Sequence, residues 1–246
     1  MGDVERSALV SGANKGLGRE VARQLCARGH LVFVGSRDLS QGEHTADELS
    51  RAGGTAVAVR LDVTDADSIA AAVRQIAASG HGLDVLVNNA GRIVEAPATR
   101  TTAATMRVVF ETNVFGAVEL TTACLPLLAR SSALRVVNVA STTASLSMTA
   151  AGHDFGGNAA TRMAYASSKS ALNMVTVQLA AALREDPGLA HVKVNSATPG
   201  FVATDINANQ GTRTVAEGAR VIVKLAVLPD DGPSGGFFND QGPVDW

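Results

Sequence analysis

Tyrosine and tryptophan occur once each in this chain of 246 residues, as Tyr165 and Trp246, and aromatic residues make up only 4% of it. Cysteine is nearly as scarce, with Cys26 and Cys124 the only two. Each falls in a helical pattern, so both read as reduced thiols in or near the core of a cytoplasmic protein, not as a disulfide framework. The five histidines, at positions 30, 44, 81, 153 and 191, stand apart from one another and from the cysteines. That spacing excludes a metal site.

A surplus of charge of one sign is also missing. The formal net charge is −2, and the lysines and arginines are scattered along the chain. This excludes a basic stripe for nucleic acid and a polybasic patch for a membrane surface. No apolar run approaches the ~20 residues needed to span a bilayer. The opening Met-Gly-Asp-Val-Glu-Arg is polar, unlike a secretory signal, and Arg6 stands where a myristoylation signal needs Ser or Thr. Internal repeats, low-complexity tracts and Pro/Gly linkers are absent. A single domain over 1–246 is expected, long enough to bury roughly three-quarters of its unfolded surface.

What the chain does have is an alternation of short apolar runs and amphipathic stretches. The runs at 7–12, 31–35, 55–63, 83–91, 134–141, 191–200 and 235–240 predict strands. The stretches at 17–28, 41–52, 66–79, 101–111, 114–129, 161–185 and 214–228 predict helices. The strands are continuously apolar, the mark of a sheet covered on both faces. Strand alternating with helix gives the α/β class, a Rossmann-like, doubly wound parallel sheet of about seven strands.

Between the first strand and the first helix lies "SGANKGLG" at 11–18, with Gly12, Gly16 and Gly18 spaced G-x-x-x-G-x-G. Such glycines permit positive φ and let backbone N–H groups approach a phosphate at a helix start. A plain tight turn would use them too. Asp38 stands at the distance where an NAD site places an acid on the ribose. Arg37 follows the second strand directly, Lys15 sits inside the glycine turn, and Ser36 adds a hydroxyl. Two cations at one end of the adenosine suit a 2′-phosphate, so NADP(H) is the expected cofactor, with Asp38 left to cap the next helix.

Tyr165 and Lys169 are i and i+4, on one helix face. A free phenol has a pKa of about 10, and a nearby ammonium lowers it. A phenol so tuned can protonate a carbonyl oxygen. An aromatic–lysine pair on a helix surface is the ordinary alternative.

The surroundings of this pair resemble the short-chain dehydrogenase/reductase family. The resemblance runs from Ser7 to the C-terminus and rests on an ordered set: "SGANKGLG" (11–18), "LDVTD" (61–65), "NNAG" (88–91), Asn113, "VVNVAS" (136–141), "YASSK" (165–169) and "PGFVAT" (199–204). It implies that Tyr165 is the general acid/base. Lys169 would lower the phenol pKa and hold the nicotinamide ribose. Ser141 would hydrogen-bond the substrate oxygen, and Asn113 would hold a water in a proton relay to Lys169. The cofactor would lie along Gly12, Asn14, Lys15, Gly16, Leu17, Gly18, Ser36 and Arg37, with Asp62 and Val63 at the adenine and Asn89, Ala90 and Gly91 beside the adenosine. Pro199, Gly200, Val202 and Thr204 would flank the nicotinamide, Thr204 holding the carboxamide.

Ser11 stands where the family usually has threonine, keeping a hydroxyl, and Ala140 where a second serine is common. Ser141 and Tyr165 are 24 positions apart, more than in most members. The added segment, about 147–163, and the tail 217–246 resemble the carbonyl-reductase branch. The resemblance thus implies NADPH-dependent reduction of an aldehyde or ketone, a small carbonyl compound as partner, and no nucleic acid or membrane. An enone reductase on the same scaffold and a non-catalytic NADP sensor are the alternatives. Monomer and homo-oligomer both stay open, because the added segment lies where many members form dimer helices. Segments 92–97, 142–163 and 201–213 are expected to build the substrate pocket, with Phe155, Phe201 and Trp246 making it apolar, His153 and Asp154 at the rim, and 204–211 as a lid.

Overall fold

The computed structural model describes residues 6–131, 133–156 and 159–246. Among them the apolar runs become strands β1 (Ser7–Val10), β2 (Leu31–Ser36), β3 (Thr55–Arg60), β4 (Val85–Asn88), β5 (Arg135–Val139), β6 (Lys193–Ala197) and β7 (Phe237–Phe238). They form one sheet in the order β3-β2-β1-β4-β5-β6-β7, and every neighbouring pair is parallel. The helices are α1 (Gly16–Cys26), α2 (Leu39–Arg51), α3 (Ala66–Ala78), α4 (Ala103–Phe110), α5 (Gly116–Leu128), α6 (Leu146–Ala150), α7 (Met163–Glu185) and α8 (Val215–Ala226).

Strand side chains alternate between two buried layers. Ala8 and Val10 join Val32, Val34, Val85 and Val87 beneath α1, α2 and α8. Leu9 joins Leu31, Phe33 and Leu86 beneath α3, α5 and α7. This two-sided covering is why the strands read as unbroken apolar runs.

The predicted strands overrun the paired segments where the chain turns toward the site. Asn89 and Ala90 leave the ladder because the Ser11 hydroxyl accepts both of their N–H groups, each at 3.0 Å. The two helices expected at 101–111 and 114–129 are one continuous stretch, joined by a π-helical turn at Glu111–Phe115. This stretch, Ala103–Leu128, is long and apolar enough by length and composition to cross a bilayer. Its Val109, Leu120, Cys124 and Leu128 are instead buried in the protein's own core. The added segment, expected only as an insertion, carries α6 and a 3-10 turn at Ala159–Thr161.

Strand order runs outward in opposite directions from β1 and β4. Parallel sheets bind ligands beyond the carboxyl ends of their strands at such a switch point.

Candidate active site

A cavity of about 580 Å³ lies along those carboxyl ends. Its floor is the β1–α1 turn. Gly12 and Gly16 take φ of +63° and +53°, in the region where side chains are rarely found. At Gly18 the constraint is space, since a Cβ there would come within 2.4 Å of the Gly12 carbonyl and the Asn89 amide. The Asn89 Nδ2 donates to the Ser11 carbonyl at 2.9 Å, which ties the turn after β4 to the turn after β1.

Helix starts differ in a telling way. Asp38 caps α2 by accepting from the Ser40 and Gln41 N–H groups, and Asp65 caps α3 in the same manner. Helix α1 has Lys15 at its N-cap and no side-chain cap. Its first N–H groups have no partner within the helix and face the cavity floor, the arrangement that receives a phosphate. The residues thus fit a dinucleotide. Lys15 and Arg37 line the same end of the cavity, and both are exposed. Lys15 meets the segment expected as a lid, its Nζ 2.9 Å from the Asp205 carboxylate. Asp38 is spent on its cap and is not part of the lining. Asp62 lines the cavity with its Oδ1 accepting from the Thr64 backbone and hydroxyl.

At the opposite end Ser141, Tyr165 and Lys169 converge. Strand β5 delivers Ser141 at its end, and α7 presents Tyr165 and Lys169 one turn apart. The Ser141 Oγ accepts from the Thr143 hydroxyl at 3.0 Å, and the Ser141 hydroxyl is hydrogen-bonded to the Tyr165 phenol. Tyr165 is half-buried. Burial raises its pKa, while the Ser141 hydroxyl and the Arg162 charge pull it down.

Lys169 shares a face of α7 with Tyr165. Its Nζ donates to the Val139 carbonyl at 2.7 Å and lies 5.8 Å from the tyrosine ring centroid. With 3% of its surface exposed, burial pushes its own pKa down to about 8. Burial is the largest influence on the phenol, and its pKa is raised where the sequence led one to expect a lowering.

Nearly all of the sequence-derived positions line this one cavity: Gly12, Asn14, Lys15, Gly16, Leu17, Gly18, Arg37, Asp62, Val63, Asn89, Ala90, Gly91, Ser141, Tyr165, Lys169, Pro199, Gly200, Val202 and Thr204. Ser36 and Asn113 do not. Ser36 is buried, and its hydroxyl donates to the Asp38 carbonyl at 2.7 Å, leaving no donor for a ligand. Asn113 lies behind the wall in the π turn. Its Oδ1 accepts from the Arg92 N–H at 2.7 Å, and its Nδ2 donates to the Arg92 carbonyl and the Ser168 hydroxyl, each at 2.9 Å.

Of the aromatics expected in the pocket, Phe155 and Phe201 line it. Trp246 instead stacks on Phe237, with centroids 5.6 Å apart, because the tail folds back over β7. His153 and Asp154 also lie outside the lining, and His153 stacks on Phe155. Sequence reasoning passed over Thr112, which also lines the cavity, and reached Val139, Thr143 and Arg162 only as parts of longer segments. For Arg162, the position three residues before Tyr165 was the signal available.

Parallel sheet, glycine turn and strand-end cavity are those of a dinucleotide-binding protein. A family model described as short chain dehydrogenase matches residues 6–215, and the chain belongs to that family. It is 30% identical to carbonyl reductase (NADPH) 1 of Bos taurus, covering 97% of this chain and 98% of that protein. The crystal structure of NADPH-bound carbonyl reductase from chicken fatty liver superposes with a TM-score of 0.85 at 28% identity, over 98% of this chain and 99% of that one. A 3-oxoacyl-(acyl-carrier protein) reductase from Brucella melitensis with bound NAD superposes with a TM-score of 0.80 at 27% identity, over 97% of this chain and 90% of that one.

Proposed function

We propose that the protein is an NADPH-dependent reductase of aldehydes or ketones, with Tyr165 as general acid. The observation that carries this reading is the convergence of Ser141, Tyr165 and Lys169 on one wall of the strand-end cavity. Two cations at the other end, with Asp38 withdrawn to its cap, support NADPH over NADH. Likeness to two NADPH-named carbonyl reductases supports the same choice, against the NAD-bound neighbour.

Bound NADPH would supply the hydride. The chain's own residues do the rest. Ser141 donates a hydrogen bond to the substrate oxygen and fixes the carbonyl beside the phenol. Tyr165 gives its proton to that oxygen as negative charge develops there. A phenol kept neutral by burial holds that proton at neutral pH. Lys169 passes a proton back. Its pKa of about 8 lets it exchange one near physiological pH. Both Nδ2 hydrogens of Asn113 are used, so a relay water there would be held by an acceptor, either the Asn113 Oδ1 or a backbone carbonyl of the π turn.

Tyr165→Phe tests the assignment. NADPH binding, followed by fluorescence titration, should persist while turnover falls by about 10²- to 10⁴-fold. Turnover within tenfold of the parent would remove Tyr165 from the role.

A further inference from the structure

Two arginines on the substrate side of the cavity, Arg92 and Arg162, have no acidic partner among the described residues, and Arg92 is exposed to solvent. Arg162 lies three residues before Tyr165, at the entry to α7, and lines the cavity with Phe155 and Phe201. It is half-buried. Its guanidinium rests over the Phe201 ring, 5.9 Å from the centroid. Among the described residues no carboxylate comes within ion-pair distance of it.

The location is a poor one for a cation. The first turn of a helix carries the positive end of its dipole and favours acids. Helix α7 has no acid there and an arginine at its N-cap. Local rules are broken most often where function requires it.

The cavity's own carboxylates do not offset the charge. Asp205 is held by Lys15, and Asp62 is engaged with Thr64 at the adenosine end. Glu95 is the exception. A hydrogen bond of 3.0 Å from the Ala96 N–H to the Thr161 carbonyl brings its loop beside Arg162, yet Glu95 stays exposed at the rim.

We infer that Arg162 is the anion-recognition residue of the substrate pocket, and that the preferred substrate is an aldehyde or ketone bearing a second, acidic group such as a carboxylate. The inference rests on the carbonyl-reductase reading. The carbonyl oxygen sits between Ser141 and Tyr165, the apolar body lies against Phe155 and Phe201, and the acid meets the guanidinium. A planar guanidinium matches a carboxylate with two parallel hydrogen bonds, and partial burial strengthens them. Glu95 acts as a gate charge that disfavours the acid without excluding it.

The test compares 3- and 4-formylbenzoate with their methyl esters. Each pair carries the same aldehyde with and without the charge, so any change in Tyr165 acidity cancels in the ratio of their kcat/KM values. The parent enzyme should favour the acids. Arg162→Gln should lower the acid-to-ester ratio by about 10- to 100-fold, the range for one charge-assisted hydrogen-bonded contact. Arg162→Lys should keep only part of the preference, retaining the charge and losing the two-pronged contact. Glu95→Gln should raise it by about two- to fivefold, as expected for an exposed charge. Esters reduced as well as the acids, with a ratio that Arg162→Gln leaves unmoved, would overturn the inference.

If neither member of a pair is reduced, the reductase reading fails separately. Calorimetric binding of the same pairs to the protein with NADP⁺ then decides on the anion site. Acid-selective binding lost in Arg162→Gln upholds it, and equal binding of acid and ester overturns it.

Discussion

Lys169 combines chemistry and cost in one side chain. Unfolded, it titrates near 10.5, and in the fold burial brings it down to about 8. Below about pH 8 both states carry the charge, and the native state bears the full desolvation penalty. Between about 8 and 10.5 the unfolded chain binds more protons, so the penalty fades as pH rises. Lys169→Met should therefore stabilise the protein at pH 7, on the order of 1–3 kcal/mol, and that gain should shrink above pH 8. Turnover should be lost. Melting curves of parent and variant from about pH 6 to 10 check the sign. A variant that melts lower at pH 7 would mean that the bond from Nζ to the Val139 carbonyl outweighs desolvation. The pairing of Tyr165 with Lys169 was legible from their spacing. The direction of each pKa was not, because the fold points the ammonium at Val139 and buries both groups.

The helical stretch that includes α4 and α5 illustrates a different limit. Its apolar period predicts two helices, and the π turn between them has no period of its own to read. That turn places Asn113 where its side chain clamps Arg92 to Ser168, joining the loop after β4 to α7. Asn113 is buried, with 1% of its surface exposed. Asn113→Ala removes three hydrogen bonds and strands their partners, which should cost about 2–4 kcal/mol. Chemical denaturation measures the loss. Turnover should fall more than NADPH affinity, because the clamp serves the catalytic wall and not the glycine turn. Equal loss of both would contradict that division. The added segment was legible only as an insertion. Its short helix α6 depends on distant contacts, among them the Ser147 N–H donating to the Trp246 carbonyl at 2.9 Å. No local pattern announces a five-residue helix held by the far end of the chain. The same contact explains why Trp246 covers β7 and leaves the pocket to Phe155 and Phe201.

Across the molecule, sheet and cavity follow from features the sequence displays openly. Continuous apolar strands require helices on both faces, parallel order follows from the alternation, and the switch between β1 and β4 puts the cavity at the strand ends. Motifs separated by more than 150 residues, from Gly12 to Thr204, meet there because most follow a strand's carboxyl end, while α7 brings in Tyr165 and Lys169. Charge pairing across the cavity was not legible: the link from Lys15 to Asp205 joins segments that only the fold brings together. The measurement to make first is the initial rate of NADPH and NADH oxidation against aldehydes, ketones, quinones and enones, with the products identified. NADPH should be strongly preferred, and the product should be the alcohol. Tight NADPH binding without turnover, equal use of NADH, or saturation of an enone's C=C bond in place of its carbonyl would contradict the carbonyl-reductase reading.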